Sequence, residues 1–374
     1  MKTANIFRKT LALVSAALMT LTLAACSSQA PAATAAPAAE SAAPVESDAP
    51  AESAAAEETP AEAGKIYKVG IVKYVDDASL DQIEQSIQAE LDKKGAELGV
   101  TFDYADYTKN GQADSTTLNQ IAADLIADGV DVIIPIATPA ALIMQAATEE
   151  NAIPVVFSAV SDPVGAGLVD SLEAPGSNIT GTSDALNVEA VIDLMLAANP
   201  DLKKLGLLYD QGQDASKSAI AAAKAYCETK GIETVEKTGT TNDELALAAD
   251  ALIAAKVDAV FTPTDNTVMT AELAIYEKFV DAKIPHYAGA DSFALNGAFC
   301  GYGVNYVTLG TSTADIAVDV LVNGAQPAST PVQIMSSGIA TVNTEVYSAI
   351  GLDYSAFASL CEELKETITQ ESFN

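Results

Sequence analysis

At 374 residues with 49% hydrophobic content, the chain is too long for one ordinary compact core and points to two lobes plus additional segments. Its 51 acidic residues stand against 19 basic ones, and the formal net charge of -32 repels nucleic-acid phosphates and anionic lipid head groups alike. Nucleic acid is therefore set aside as a partner.

The first segment, "MKTANIFRKTLALVSAALMTLTLAACSS", places Lys2, Arg8 and Lys9 ahead of an apolar stretch from Leu11 to Ala25. That is the plan of an export signal, and the stretch is short for a membrane-spanning helix. It ends in "LAAC", which resembles the lipobox of bacterial lipoproteins, where the cysteine (here Cys26) is acylated and becomes the mature N-terminus. A secretory signal with an incidental cysteine is the plain alternative. Residues 1–25 are read as signal peptide, and 26–64 as acylated Cys26 followed by a tether of almost pure Ala, Pro, Ser and Glu. Such a composition cannot bury a core. As a flexible coil it reaches about 35 Å.

From Lys65 the chain alternates strand-length apolar runs with amphipathic helical stretches. The strand "YKVGIVKY" leads to the helix "SLDQIEQSIQAELDKKGAELG", the strand "VTFDYADY", the helix "STTLNQIAADLIADG", the strand "VDVIIPIA", a helix opening at "TPAALIMQAATEEN" and the strand "IPVVFSAV". A second pass begins at "LKKLGLLYDQGQDASK". It runs through "SAIAAAKAYCETKG", "IETVEKT", "NDELALAADALIAAK", "VDAVFTPT", "TVMTAELAIYEKFVDAK" and "IPHYAGAD". Both passes predict an α/β fold of two doubly wound parallel-sheet lobes. "LNQIAADLIADGVDVII" aligns with "LALAADALIAAKVDAVF", "IPVVFSAVSD" with "IPHYAGADSF", and "DDAS" with "QDAS".

In open parallel sheets the ligand crevice lies beyond the carboxyl ends of the strands. There the first lobe offers Tyr74 and Asp77, Thr138 and Pro139, then Ser158, Ser161 and Asp162; the second offers Asp210 and Asp214, Thr264, Asp265 and Asn266, then Asp291 and Ser292. If the lobes face each other, these loops converge on one cleft. Chemistry has few carriers. The only histidine, His286, sits beside Pro285 in a strand and reads as structural; no Gly-x-Ser-x-Gly elbow or phosphate-loop Gly-Lys-Ser/Thr occurs, and "GAGLVD" lacks the third glycine of a dinucleotide fingerprint. Cleft carboxylates leave glycoside-type acid/base work as the enzymatic rival. No catalytic residue, cofactor or metal is expected. Beyond Cys26, Cys227, Cys300 and Cys361 are irregularly spaced and odd in number, and read as small buried or free thiols.

The motifs "ASLDQI", "IATPAA", "IPVVFSAVSDPVGAGLV", "NITGTSD", "TPTDNTV" and "GYGVNYVTLGTSTADIA" resemble, over roughly residues 66–353, those of the ABC-transporter substrate-binding lipoprotein family that includes tryptophan and tyrosine binders. The resemblance implies the type I periplasmic-binding-protein fold, extracytoplasmic capture of a small solute, and delivery to an ABC permease with a cytoplasmic ATPase, the membrane being touched only through the lipid anchor. Relatives carry a His-Pro pair ahead of the first Leu-Asp, where this chain reads "YVDDASLD", so the first loop is expected to meet ligand differently. Three interlobe crossings are implied near "GTSDALN", "GVNYVTLG" and "PVQIMSSG". Lobe 1 is then 65–183 with about 308–335, and lobe 2 is 184–307 with about 336–374.

For an amino-acid ligand both charges must be met, since an unpaired buried ion costs several kcal/mol. Thr138 reads as an N-cap and Pro139 as a first-turn proline, aiming free N–H groups at a carboxylate, with hydroxyl donors from Ser158 and Ser161. Asp184, next to Ser183 at the first crossing, Asp265 and Asp291 are the acceptors for an ammonium, helped by Asn266. The plain alternatives are that Asp265 and Asp162 cap helices and Asp184 braces the hinge. Tyr74, Phe157, Tyr302 and Tyr306 are candidates to wall an apolar side chain, because the chain has no tryptophan; Phe157 reads equally as core. Two other functions stay open: a nucleoside-binding transport lipoprotein, and a ligand-sensing subunit of a membrane receptor.

Overall fold

The computed structural model describes residues 64–370. The export segment, Cys26 and the tether up to residue 63 lie outside the described residues.

Strands β1 (Ile66–Lys73), β2 (Thr101–Asp103), β3 (Thr108–Asn110), β4 (Val132–Ile136), β5 (Val155–Phe157) and β6 (Ile179–Ser183) alternate with helices α1 (Ala78–Leu98), α2 (Ser115–Asp128) and α3 (Thr138–Thr148). They form one parallel sheet in the order β6-β5-β4-β1-β2, with β3 also on β1. β4, β5 and β6 are buried at every position, as strands covered by helices on both faces must be. The single strand expected over 100–107 is broken. β2 pairs with the start of β1 (Ile66 opposite Thr101) and β3 with its end (Ile71 opposite Thr108), and a 3-10 turn at Ala105–Tyr107 absorbs the two-residue difference in register.

The second pass gives α4 (Val188–Ala198), β7 (Lys204–Tyr209), α5 (Asp214–Lys230), β8 (Glu233–Thr238), α6 (Asn242–Ala254), β9 (Ala259–Thr262), α7 (Asn266–Asp281), β10 (His286–Ala288), α8 (Asp291–Leu295) and β11 (Cys300–Gly303). The chain then runs through α9 (Tyr306–Val322) and β12 (Gln333–Ile334) to β13 (Ile339–Asn343), α10 (Thr344–Ile350) and β14 (Glu363–Thr367). β12 joins the first sheet beside β6. β13 and β14 extend the second, whose order is β14-β13-β11-β10-β9-β7-β8. That sheet is mixed, because β13 runs antiparallel to β11.

The internal repetition has a structural counterpart. Asp131 accepts from the Lys68 backbone N–H at 2.7 Å, and Asp258 accepts from Lys203 and Lys204 N–H at 2.8 Å, so the same Val-Asp pair fastens the start of the neighbouring strand in both lobes. The "DDAS"/"QDAS" match does not carry over. Asp77 is the N-cap of α1, whereas Asp214 already lies inside α5, behind Gln213 as cap.

Helix α9 returns to the first lobe and lies along α1. A Cβ on Gly310 would meet the Ile83 carbonyl oxygen at 2.6 Å, so glycine is what lets the two backbones approach. Ile83, Ile87 and Leu91 of α1 and Leu309 and Ala317 of α9 are sealed between them, and Lys94 pairs with Asp315 at 2.9 Å. The chain passes between the sheets after β6, after β11 and after β12. The crossings are tied together: Met335 N–H donates to Ser183 O (2.8 Å), Asn187 N–H to Ser337 Oγ (3.0 Å) and Gly338 N–H to Gly303 O (3.0 Å).

Candidate ligand-binding site

The loops leaving β1, β4 and β5 of the first sheet face those leaving β9 and β10 of the second, and a cavity of about 30 Å³ lies between them. Asp77, Thr138, Ser161, Asp184, Asp265, Asn266 and Tyr306 line it, and among the described residues no cationic side chain does.

Asp77 adopts an extended conformation (φ -155°, ψ 141°) so that Oδ1 accepts from Ser79 N–H (2.9 Å) and Leu80 N–H (3.2 Å). Its Oδ2 is buried without a hydrogen-bond partner. Burial is the main cause that raises this carboxyl above its ordinary range, with the Leu80 N–H opposing it. Asp184 follows β6; burial pushes it up to about 6 against the opposing hydrogen bond from Ser161 Oγ at 3.0 Å. Asp291 opens α8 and accepts from Ser79 Oγ across the cleft at 2.6 Å; burial again pushes it up to about 6, opposed by that hydrogen bond. Tyr306, at the first turn of α9, is held well above the usual phenol range by burial first and then by the carboxylates of Asp184, Asp291 and Asp77. Three acidic groups thus converge on one tyrosine with no counter-charge on the cavity wall.

The opposite chemistry sits at α3. Its N-cap is Ala137, not Thr138, because the chain leaves β4 with Ala137 at φ 79°, ψ 152°; Thr138 becomes the first helical residue and Pro139 the second. Thr138 Oγ1 is buried without a partner beside the unpaired N–H groups of the first turn. Ala159, after β5, also holds a positive φ of 54° and lines the same cavity. Left-handed non-glycine backbone costs on the order of 1–3 kcal/mol and collects at ligand sites.

Several candidates are already engaged on the wall or lie elsewhere. Both oxygens of Asp265 are taken, Oδ1 by Thr267 and Val268 N–H and Oδ2 by Asp210 N–H (2.8 Å) and Ser216 Oγ (2.6 Å); it caps α7 and has no lone pair in good geometry left for an ammonium. Asn266 Nδ2 donates to Gln213 Oε1. Ser158 Oγ bonds Thr313 Oγ1 in the first core, where Phe157 is also buried. Tyr302 packs in the second core and donates to Ser337 O. Tyr74 is half-buried outside the cavity wall. Asp162 caps a turn through Gly165 N–H and, with Ser183, lines a neighbouring groove. The sequence reading missed Leu80, Ala137, Ala159, Met269 and Phe293 on the cavity wall. The alanines in "IATPAA" and "FSAVSD" were the available signal: small residues where a strand exits toward a ligand.

His286 is buried in the second lobe, with Nδ1 2.9 Å from Glu272 Oε1 and Nε2 2.8 Å from Thr262 Oγ1. It does not itself line the cavity but lies one layer behind it, its ring 6.1 Å from that of Phe293 on the wall. Cys227, Cys300 and Cys361 are free; burial pushes the Cys227 thiol up to about 11 and raises the other two.

The raised carboxylates carry a stability cost with a definite sign. Asp184 and Asp291 hold their protons more tightly when folded, so their contribution is complete below the ordinary carboxylate range and lost as pH rises through about 6. Melting of the ligand-free protein between pH 4.5 and 7.5 is expected to show a higher Tm near pH 5 than at pH 7, once other groups are controlled with Asp184→Asn and Asp291→Asn. A difference that survives both substitutions would count against this assignment.

Two α/β lobes crossed three times by the chain, with a cavity between the carboxyl ends of their strands, define a type I periplasmic-binding-protein fold. The family described as ABC transporter substrate binding protein matches residues 68–359, and the chain belongs to it. It is 31% identical over 293 residues to the tyrosine-binding protein of Clostridioides difficile (strain R20291), covering 78% of this chain and 83% of that one. Among solved structures it resembles an ABC domain from Streptococcus pneumonia in complex with L-Trp (TM-score 0.74, 30% identity, 80% of this chain and 100% of that one). It also resembles the ligand-free, open structure of a substrate binding protein with adhesive properties from Clostridium difficile (TM-score 0.62, 32% identity, 81% and 100%).

Proposed function

We propose that this protein is the lipid-anchored, extracytoplasmic solute-binding component of an ABC importer, and that it captures an aromatic amino acid between its lobes by hinge closure. The observation that carries the reading is the set of polar groups left unmatched on the cavity wall. Buried carboxylates without a cation invite an ammonium group, and the orphaned Thr138 hydroxyl beside the N-terminus of α3 suits a carboxylate. A nucleoside brings no ammonium and leaves the acidic cluster unmatched. The names of the relatives, one binding tyrosine and one complexed with L-Trp, support the aromatic choice.

Hinge closure rests on contacts that bridge the lobes. Ser79 Oγ reaches Asp291, and Ser161 Oγ reaches Thr264 Oγ1 at 3.2 Å. At nearly equal identity the fold matches the L-Trp complex (0.74) better than the open, ligand-free relative (0.62), which supports a closed arrangement here. On this reading the lobes are 65–183 with about 308–335 and 184–307 with about 336–374, hinged at the three crossings. Ligand touches one lobe when open and both when closed, so it shifts the equilibrium toward closure, and the permease with its cytoplasmic ATPase reads the closed shape. Cys26 supplies the anchor.

Thermal-shift titration of the purified protein with the twenty amino acids and a set of nucleosides tests the reading, since a ligand that binds only the folded state raises Tm. Tryptophan, tyrosine or phenylalanine are expected to give the largest shifts. Their affinity is expected to fall about tenfold per pH unit below about 6, as Asp184 takes up a proton. Shifts with nucleosides alone would overturn the substrate.

A further inference from the structure

Beside the central cavity a second, larger space of about 360 Å³ opens between the lobes. The two share Ser161, Ala215 and Thr264, so the Ser161–Thr264 hydrogen bond stands at their junction. The walls differ in kind. The central cavity carries three carboxylates, Asp77, Asp184 and Asp265, whereas the groove has Asp162 alone at its edge and is walled mainly by Pro163, Val164, Leu172, Leu186 and Ile334; among the described residues no aromatic side chain lines it.

Size then decides where a ring can go. A benzene-sized ring occupies a cavity of about 150 Å³. The central space of about 30 Å³ has room for about one water as it stands, so the charged end enters it only as the lobes part, and it is far too small for a ring, whereas the groove of about 360 Å³ is large enough. Resting on the amino-acid reading above, we propose that the ligand's charged end lies in the central cavity while its aromatic side chain passes the Ser161–Thr264 junction into this groove. There aliphatic walls, not ring stacking, set its specificity. Val164 and Ile334 are 44% and 54% exposed, so the groove is open along one side and an apolar side chain laid in it covers them.

Filling the groove from either lobe tests this. Ser218 is an exposed residue of α5 and Val164 is half-exposed on the facing loop, so Ser218→Trp and Val164→Trp each block it from a position where folding tolerates bulk. By calorimetry with L-tryptophan and L-tyrosine, each variant is expected to raise Kd at least tenfold, with the ligand-free Tm unchanged. Two folded variants with Kd within twofold of the unaltered protein would overturn the groove as side-chain site while leaving amino-acid binding intact. An unaltered protein that binds neither amino acid would overturn the functional reading itself.

Discussion

Asp184→Asn is expected to weaken binding of L-tyrosine or L-tryptophan by about 100- to 4,000-fold at pH 7.5, because removing one partner of a buried ion pair costs about 3–5 kcal/mol and each 1.4 kcal/mol is tenfold. Asp184 is the carboxylate for this test: it lines the cavity, it is 6% exposed, and its single side-chain hydrogen bond, from Ser161 Oγ, leaves acceptor capacity facing inward. Asp291 spends an oxygen on Ser79 and lies behind the wall, so its replacement acts on closure first. The same substitution is expected to stabilise the ligand-free protein. A carboxyl pushed up to about 6 from an ordinary value of 3.8 costs the folded state about 3 kcal/mol at pH 7. A neutral amide escapes that cost, so Tm rises by a few degrees while affinity collapses. Calorimetry and melting on one sample separate the two effects. Unchanged affinity would remove Asp184 from the site, and lost affinity with a lower Tm would make it a structural brace.

His286→Ala is expected to destabilise the protein by about 3–5 kcal/mol without altering which ligand binds. Thr262 Oγ1 donates to Leu208 O at 2.9 Å and therefore accepts from His286 Nε2–H. A proton must then also lie between Nδ1 and Glu272 Oε1, either on the ring or on the carboxyl, and the pair is neutral overall in both forms. Glu272 is fully buried and its other oxygen already lacks a partner. Removing the imidazole strands a carboxylate among Phe279 and Phe293, whose rings flank His286 at 5.4 and 6.1 Å. The control is Glu272→Met with His286→Leu. Replacing both members by apolar groups is expected to recover most of the loss, since such pairs seldom outdo well-packed side chains. Additive single and double effects in urea unfolding would dismiss the pairing.

The architecture was legible because its signals are local. Strand-length apolar runs and capped amphipathic helices follow from period and turn chemistry, and the Val-Asp pair that recurs as Val130-Asp131 and Val257-Asp258 does the same job in each lobe. What stayed hidden depends on distance in sequence. Ser79 meets Asp291 from 212 residues away, and nothing in "DDASLD" announces it. Asp265 looked like Asp184, an aspartate at a strand end, and only the four donors converging on it separate a cap from a ligand acceptor. Tyr302 and Tyr306 differ by one turn of chain, yet the pleat turns the first into a core and the start of α9 turns the second toward the cavity. The β2–β3 break was equally invisible, since a two-residue register change leaves the apolar pattern nearly intact.

The return of α9 to the first lobe fixes the order in which the molecule can be finished. Residues 66–183 supply six of that lobe's strands and pack α1 on β1, β2 and β4, but the side of α1 that meets α9 stays uncovered until residues 306–322 arrive. As the chain is made from its N-terminus, the earliest-synthesised lobe cannot complete its core until the 139 residues from 184 to 322 have followed. Contacts of such long sequence separation form slowly and keep intermediates open. A chain cut short at β11 therefore leaves the α9-facing side of α1 uncovered and lacks β13 and β14 of the second sheet, so neither lobe is complete until residues 306–367 are made.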